Sequence, residues 1–387
     1  MSRQVLVRNA HVVPGSGPEL PGTDVLCTDG VITAVAPGLE ARAAPGCEVI
    51  DATGLTVTAG FVDAHRHVWQ APLRGTGADM GLPRYFAEVL GTALHAMTPA
   101  AAAAATRLGA ALALDAGITT VFDYSNATRS PEHTDAIVEA FEASGIRAVV
   151  GHGDPSATAD VRRLAARTGR VTGALAILGP DYGDWDEAVA QLTFGRDLGL
   201  TVAAHAGGAT VRRLHDAGLL GPDLQLVHLN AVTAGDAKLL ADTGTAVVVT
   251  PTVEAVMGHG ASAYGRLADA GARPALGVDV VINNPPDLFE PLRDTLRTAR
   301  LATGSASLPP AADLLRAVTA DGARAVGLGG VVGTVEAGRR ADLLLLDGLG
   351  HLTGERAGAV VSCLTATDVR TVLVDGRVVK RDGHLVV

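Results

Sequence analysis

The sequence predicts an α/β protein, a (β/α)8 TIM-like barrel carrying a small β-sandwich built from both chain ends. Three observations lead there. Through the middle of the chain, apolar β-type runs alternate with helix-like stretches, the pattern of parallel strands joined by crossover helices. The runs fall at 60–64, 118–123, 147–152, 171–178, 200–205, 224–228, 246–250 and 274–279, and eight is the number a closed barrel needs. Both ends are β-rich and too short to bury a core alone, so they are expected to pair with each other. An open doubly wound sheet is the competing topology, but no Gly-x-Gly-x-x-Gly turn follows the first run.

The elements follow in order. Residues 1–58, the first part of the sandwich, hold β-type runs at 5–7, 24–27 and 31–35, divided by Gly, Pro and Asp turn residues. Residues 59–330 form the barrel, with helices expected at 98–115, 131–144, 157–167 and 186–198, several closed by a glycine, and a last helix at 310–326. Residues 331–387 return to strands at 341–347, 369–375 and 377–380, with hairpin signals at Asp375-Gly376 and Asp382-Gly383.

Composition narrows the function. With 387 residues, 48% of them hydrophobic, the chain can bury a large core. A net charge of −10 without basic clusters argues against nucleic acid and anionic lipid as partners and leaves a small molecule. The three cysteines, Cys27, Cys47 and Cys363, lack metal-site or disulfide spacing, which suits a reducing cytoplasm. Neither a secretory leader pattern nor a membrane-length apolar run is present, so a cytoplasmic protein is expected. Lys238 and Lys380 are the only lysines, which leaves little for carbamylation or Schiff-base chemistry.

The most informative motif is Gly60-Phe-Val-Asp-Ala-His65-Arg-His67. Side chains alternate along a strand, so His65 and His67 share a face while Arg66 points away. Paired imidazoles suit zinc and related ions. Barrel chemistry sits where strands end, and His205, His228 and Asp279 close the fifth, sixth and eighth runs. One such histidine is ordinarily a core residue bonded to a carbonyl. Five polar groups at one rim would be costly without something to hold them.

On these residues the sequence resembles the amidohydrolase superfamily, most closely its single-metal branch of cytosine and guanine deaminases and triazine hydrolases. The carriers are Ala59-Gly-Phe-Val-Asp-Ala-His-Arg-His67, Ala204-His-Ala206, Val227-His-Leu229, Leu276-Gly-Val-Asp279 and Gly333-Thr-Val-Glu-Ala-Gly-Arg-Arg-Ala-Asp-Leu343. The resemblance implies one divalent ion, by default Zn2+ with Fe2+ or Mn2+ as alternatives, held by His65, His67, His205 and Asp279. It further implies His228 beside the reacting water, Asp279 as the proton carrier, and a homodimer or homotetramer. The expected activity is deaminase-like hydrolysis of a C–N bond in a cyclic amide, amidine or amino-substituted heterocycle. A metal-dependent lyase, cyclase or isomerase is the alternative, because one family feature is missing.

Deaminases of this branch carry a glutamate three residues after the fifth-strand histidine, and here the run is His205-Ala-Gly-Gly208. Glu254, in the segment after the seventh strand, is the candidate replacement acid. The binuclear branch uses a carbamylated lysine on strand four, and run 171–178 has none, so one metal is expected. Candidate substrate contacts are Trp69, Gln70 and Arg74 after the paired histidines, with Tyr124, His152, Tyr182 and His259 near other strand ends.

Overall fold

A computed structural model describes residues 3–386. Eight parallel strands run in chain order around the barrel: β6 (Phe61–Arg66), β7 (Ile118–Ser125), β8 (Arg147–His152), β9 (Val171–Ile177), β10 (Val202–Ala206), β11 (Leu224–His228), β12 (Ala246–Val249) and β13 (Ala275–Leu276). Their sequences are nearly continuous apolar runs because helices cover the outside and side chains fill the inside. The eighth strand is shorter than the 274–279 expected. Past Leu276, the amide of Val278 donates to Asp63 Oδ1 at 2.9 Å instead of joining a ladder, and Asp279 turns into the left-handed region at φ 64°. Backbone hydrogen bonds still join this stretch to β6, Asp279 N to His65 O and His67 N to Asp279 O, both 2.8 Å, so the barrel is nearly closed.

Helices form where caps and proline signals agree. Helix Pro99–Asp115 starts at Thr98, whose hydroxyl accepts from Ala101 N at 3.2 Å, with proline at the first helical position. Helices Pro131–Ser144 and Ala234–Thr243 each end on a left-handed glycine, Gly145 and Gly244. The single helix expected at 310–326 is instead two, Ala311–Ala317 and Ala320–Ala325. At the break the Val318 carbonyl accepts from Val62 N of β6 at 2.7 Å, which satisfies both backbone groups. Among the described residues no helix is long and apolar enough to cross a membrane.

The chain ends build a nine-stranded mixed sheet of β1 (Gln4–Val13), β2 (Leu20–Thr28), β3 (Val31–Ala36), β4 (Glu48–Asp51), β5 (Thr56–Ala59), β14 (Leu343–Leu346), β15 (Val369–Val374), β16 (Arg377–Arg381) and β17 (His384–Leu385). β5 joins the two halves, parallel to β1 and antiparallel to β14. The sheet folds over on itself, so that Val31 of β3 bridges Arg340 beside β14 around a core of its own that includes Val7, Val57 and Leu345. Only Gly60 separates β5 from β6. A Cβ there would lie 2.0 Å from Thr119 Oγ1, so glycine alone fits the junction. Buried Arg147 of β8 fixes the contact by donating to both oxygens of Asp342, at 2.8 and 3.1 Å, and to Asp375 at 2.5 Å.

Candidate active site

The C-terminal rim of the barrel gathers the polar strand-end residues. Single ligand atoms of His65, His67 and His205 lie within 4.8 Å of one another, as do those of His65, His228 and Asp279. Asp279 Oδ1 stands 3.5 Å from His65 Nε2 and 3.4 Å from His67 Nε2. The His67 and His205 rings are stacked with centroids 5.6 Å apart, and His205 stacks on His228 at 5.5 Å. Arg66, on the opposite face, reaches Asp63 and the Pro286 carbonyl at 3.3 Å each. Non-glycine residues take left-handed backbone at His228 (φ 80°), Leu229 (φ 58°) and Asp279. Such strain persists only where surroundings impose it, and here it turns catalytic-type side chains into the mouth.

Neutral nitrogen donors and an ionised carboxylate are the state a divalent cation requires. Burial lowers the basicity of His65 and His205, and takes His67 to about 4. Burial alone would raise the Asp279 carboxyl, but the imidazoles of His65, His228 and His67 around it carry it well below the usual carboxylate range. Both ring nitrogens of fully buried His65 lack a hydrogen-bond partner. A cation would meet one of these orphaned nitrogens, and with His67, His205 and Asp279 beside it the donor set fits a metal ion.

Neighbouring groups fix the donors. His67 Nδ1–H donates to the Tyr124 carbonyl at 3.0 Å and to Asn126 Oδ1 at 2.7 Å, which leaves Nε2 bare for a cation. His228 Nδ1 lies 3.1 Å from Thr250 Oγ1 and 3.4 Å from Glu254 Oε1. Burial would lower the His228 pKa, but Glu254 and Asp279 together raise it. Asp181 accepts from the amides of Gly208 at 2.6 Å, Ala209 at 3.2 Å and Thr210 at 2.8 Å, which shapes the loop after His205.

The candidate substrate contacts divide. Tyr124 is brought into the cluster, its ring 4.4 Å from His205 and 5.1 Å from His67, and His259 stands edge-on to His228 at 5.7 Å. Tyr182 lies exposed at the rim with its hydroxyl over Gly207. Others depart from expectation. Trp69 is buried and its indole N–H donates to Asn126 Oδ1 at 3.1 Å, so it braces His67 and offers no open platform. Gln70 is buried against the Tyr85 hydroxyl at 2.6 Å, while Arg74 is exposed on the loop beyond. His152 is spent on structure: Nε2 meets Asp160 at 3.0 Å and Nδ1 accepts from Asp154 N at 3.2 Å. Glu254 is fully buried against His228, so it reaches the site through that ring rather than as a free acid.

Comparison with known proteins decides the family. The model of the amidohydrolase family matches residues 56–379. The chain belongs to the amidohydrolase family. It is 33% identical over 378 residues to a 5-methylthioadenosine/S-adenosylhomocysteine deaminase of Halobacterium salinarum, covering 88% of this chain and 85% of that one. A 5'-deoxyadenosine deaminase of Methanosarcina mazei is 26% identical over 418 residues, covering 99% and 94%. Solved structures share the fold: an adenosine deaminase from Xanthomonas campestris with bound zinc (TM-score 0.89, 24% identity, 99% and 94% of the two chains), and atrazine chlorohydrolase TrzN from Arthrobacter aurescens complexed with zinc (0.86, 21%, 99% and 96%). This amidohydrolase is a metal-dependent hydrolase acting on carbon–nitrogen bonds other than peptide bonds.

Position 208, where the resemblance leads to the expectation of a glutamate, is held by glycine in a backbone that suits glycine. Gly208 takes φ +110°, and a Cβ there would lie 2.7 Å from Val232 N and 2.9 Å from Val232 Cα. No side chain fits, acidic or otherwise. Sequence reading missed four contributors: Asn126, Thr250, Tyr85 and Asp181. Asn126 and Thr250 stand just past strand ends, a position that could have flagged them. Tyr85 and Asp181 sit on loops whose paths only the folded chain defines.

Proposed function

We propose that this amidohydrolase binds one zinc ion through His65, His67, His205 and Asp279, and removes the amino group of an amino-substituted heterocycle or cyclic amidine as ammonia. The observation that carries the reading is the convergence of three neutral imidazoles and an ionised carboxylate around the orphaned nitrogens of His65. The zinc-bound solved structures support the choice of ion, and the curated deaminases support the substrate class.

The ion, when bound, lowers the pKa of a coordinated water to about 7 and makes it a nucleophile near neutrality. Asp279, ionised and steadied by the Thr250 hydroxyl 3.5 Å from Oδ2, accepts the proton as the water oxygen attacks the sp² carbon. His228 stands beside the attacking oxygen, and its free ring nitrogen accepts a hydrogen bond from the water and orients it toward the carbon. Asp279 then returns its proton to the departing nitrogen, which leaves as ammonia. Tyr124 walls the cluster beside His67 and His205 and excludes bulk water.

The test is ammonia release by zinc-loaded protein from adenosine, 5′-methylthioadenosine, S-adenosylhomocysteine, guanine and cytosine, with metal counted by elemental analysis. One zinc per chain and metal-dependent turnover of at least one compound is the expected result. Ammonia release from none, with zinc in place, would overturn the substrate class.

A further inference from the structure

Glu254 is a buried carboxylate that the mechanism above leaves idle. It is 0% exposed, and it lies on the short helix Pro251–Val256 directly after β12. Oε1 accepts from Thr250 N at 2.9 Å and lies 3.4 Å from His228 Nδ1, while Oε2 is buried without a partner. The backbone then folds back, His259 N donating to the Glu254 carbonyl at 2.8 Å, which sets the His259 ring against His228. Buried carboxylates are expensive, and a fold that needed only a helix start could have used an uncharged cap.

Other buried acids near the barrel are committed elsewhere. Asp63 and Asp123 are committed to Arg66 and to the amides of Val278 and Val68, and Asp160 serves His152. Among the described residues Glu254 is the carboxylate, besides Asp279, that stands against the histidine cluster.

We propose that Glu254 is a positioning residue for His228, keeping the ring proton on Nδ1 so that Nε2 is the nitrogen presented to the reacting atoms. The reasoning is electrostatic. Thr250 Oγ1, 3.1 Å from Nδ1, could either accept from that nitrogen or donate to it. A carboxylate oxygen 3.4 Å away repels a lone pair on Nδ1 and attracts a proton there, so it selects the first arrangement. The Thr250 hydroxyl then donates onward to Glu254 Oε1 at 3.4 Å or Asp279 Oδ2 at 3.5 Å, which couples the two acids through one side chain. One nitrogen of His228 lies within 4.8 Å of ligand atoms of His65 and Asp279, so the ring borders the site, and with Nδ1 engaged by Thr250 and Glu254 it is Nε2 that is free to face it.

This inference rests on His228 acting at the proposed site, and its test separates the two. Zinc-loaded protein with ¹⁵N-labelled histidine gives the His228 ring resonances, assigned by comparison with His228→Asn. The expected wild-type spectrum shows Nδ1 protonated, and a bare Nδ1 overturns the proposal whatever any variant does. Glu254→Gln keeps the shape and the acceptor for Thr250 N but removes the charge. It is expected to shift the His228 tautomer balance, with zinc content and melting temperature unchanged, and to lower kcat on adenosine or 5′-methylthioadenosine by roughly 10- to 100-fold with KM within about 2-fold. An unaltered His228 spectrum in that variant also overturns it. If neither nucleoside is turned over, the substrate reading suffers while the spectrum still decides the role of Glu254.

Discussion

The carboxamide oxygen of Asn126 lies 2.7 Å from Nδ1 of His67 and 3.1 Å from the indole nitrogen of Trp69. One acceptor therefore holds both a ring of the metal cluster and the aromatic side chain two residues beyond it. Both partners are donors, which fixes the carboxamide with its oxygen inward and His67 with Nε2 bare. Asn126→Ala removes that anchor and is expected to weaken zinc binding by roughly 10- to 100-fold, as loss of an outer partner of a metal histidine does. Asn126→Asp, which keeps the acceptor and adds charge, is expected to bind zinc at least as tightly. Competition with a chelator of known affinity measures both, and equal affinities across the three proteins would remove the anchoring role.

Asp279 combines an ionised carboxylate, left-handed backbone and two backbone hydrogen bonds to β6. The backbone bonds do not depend on the side-chain charge, so Asp279→Asn is expected to fold and melt close to the parent. Its turnover is expected to fall by at least about 1,000-fold, because the proposed proton carrier is gone. Ammonia release at saturating substrate gives the rate, and near-parental kcat would mean that another group carries the proton.

The same strand-end logic shows what was legible. His65, His67, His205, His228 and Asp279 could be placed because side chains alternate along a strand and because barrel strands end at one face. Both rules are local, and the structure brings all five residues together. His152 also closes a strand, yet it turns away, because Asp160 on helix Thr158–Ala165 meets it and no pattern in the sequence announces that pairing. Trp69 looked like a platform until Asn126, 57 residues later, claimed its N–H. The break at Val318 was hidden for the same reason: the partner of its carbonyl is an amide on β6, distant in the chain.

Gly208 gives a prediction opposite to the one sequence alignment invites. Restoring a family-type acid by Gly208→Glu must place a Cβ within 3 Å of the Val232 backbone, in a φ range that side chains rarely adopt. The expected result is destabilisation by about 2 kcal/mol or more with no gain in deaminase activity. Gly208→Ala, which adds only the offending atom, is expected to show most of that loss. Urea unfolding of the three proteins measures it, and a stable Gly208→Glu protein with faster ammonia release would show that the loop can rebuild itself.

Asp123 makes stability depend on pH in a sense opposite to that of a salt-bridged acid. It is buried on β7, with Oδ1 accepting from Val68 N at 3.0 Å. Burial raises its pKa to about 7, against the lowering influence of the Val68 amide, the Ser125 hydroxyl and Arg66. In the unfolded chain an aspartate titrates near 4, so between about pH 4 and 7 the folded state holds a proton that the unfolded state has lost. Stability from this group therefore falls as pH rises through that window and is lowest above it. Asp123→Asn keeps the acceptor for Val68 N and stays neutral throughout. The variant is expected to match the parent near pH 4.5 and to exceed it by on the order of 1 kcal/mol or more at pH 8, once the parent's buried charge is present. Urea unfolding of both proteins across this range measures the difference, in which the titration of other groups cancels. A gap that does not change with pH would mean that Arg66 neutralises Asp123 fully, and that the acid is ionised in the folded protein from pH 4.5 upward.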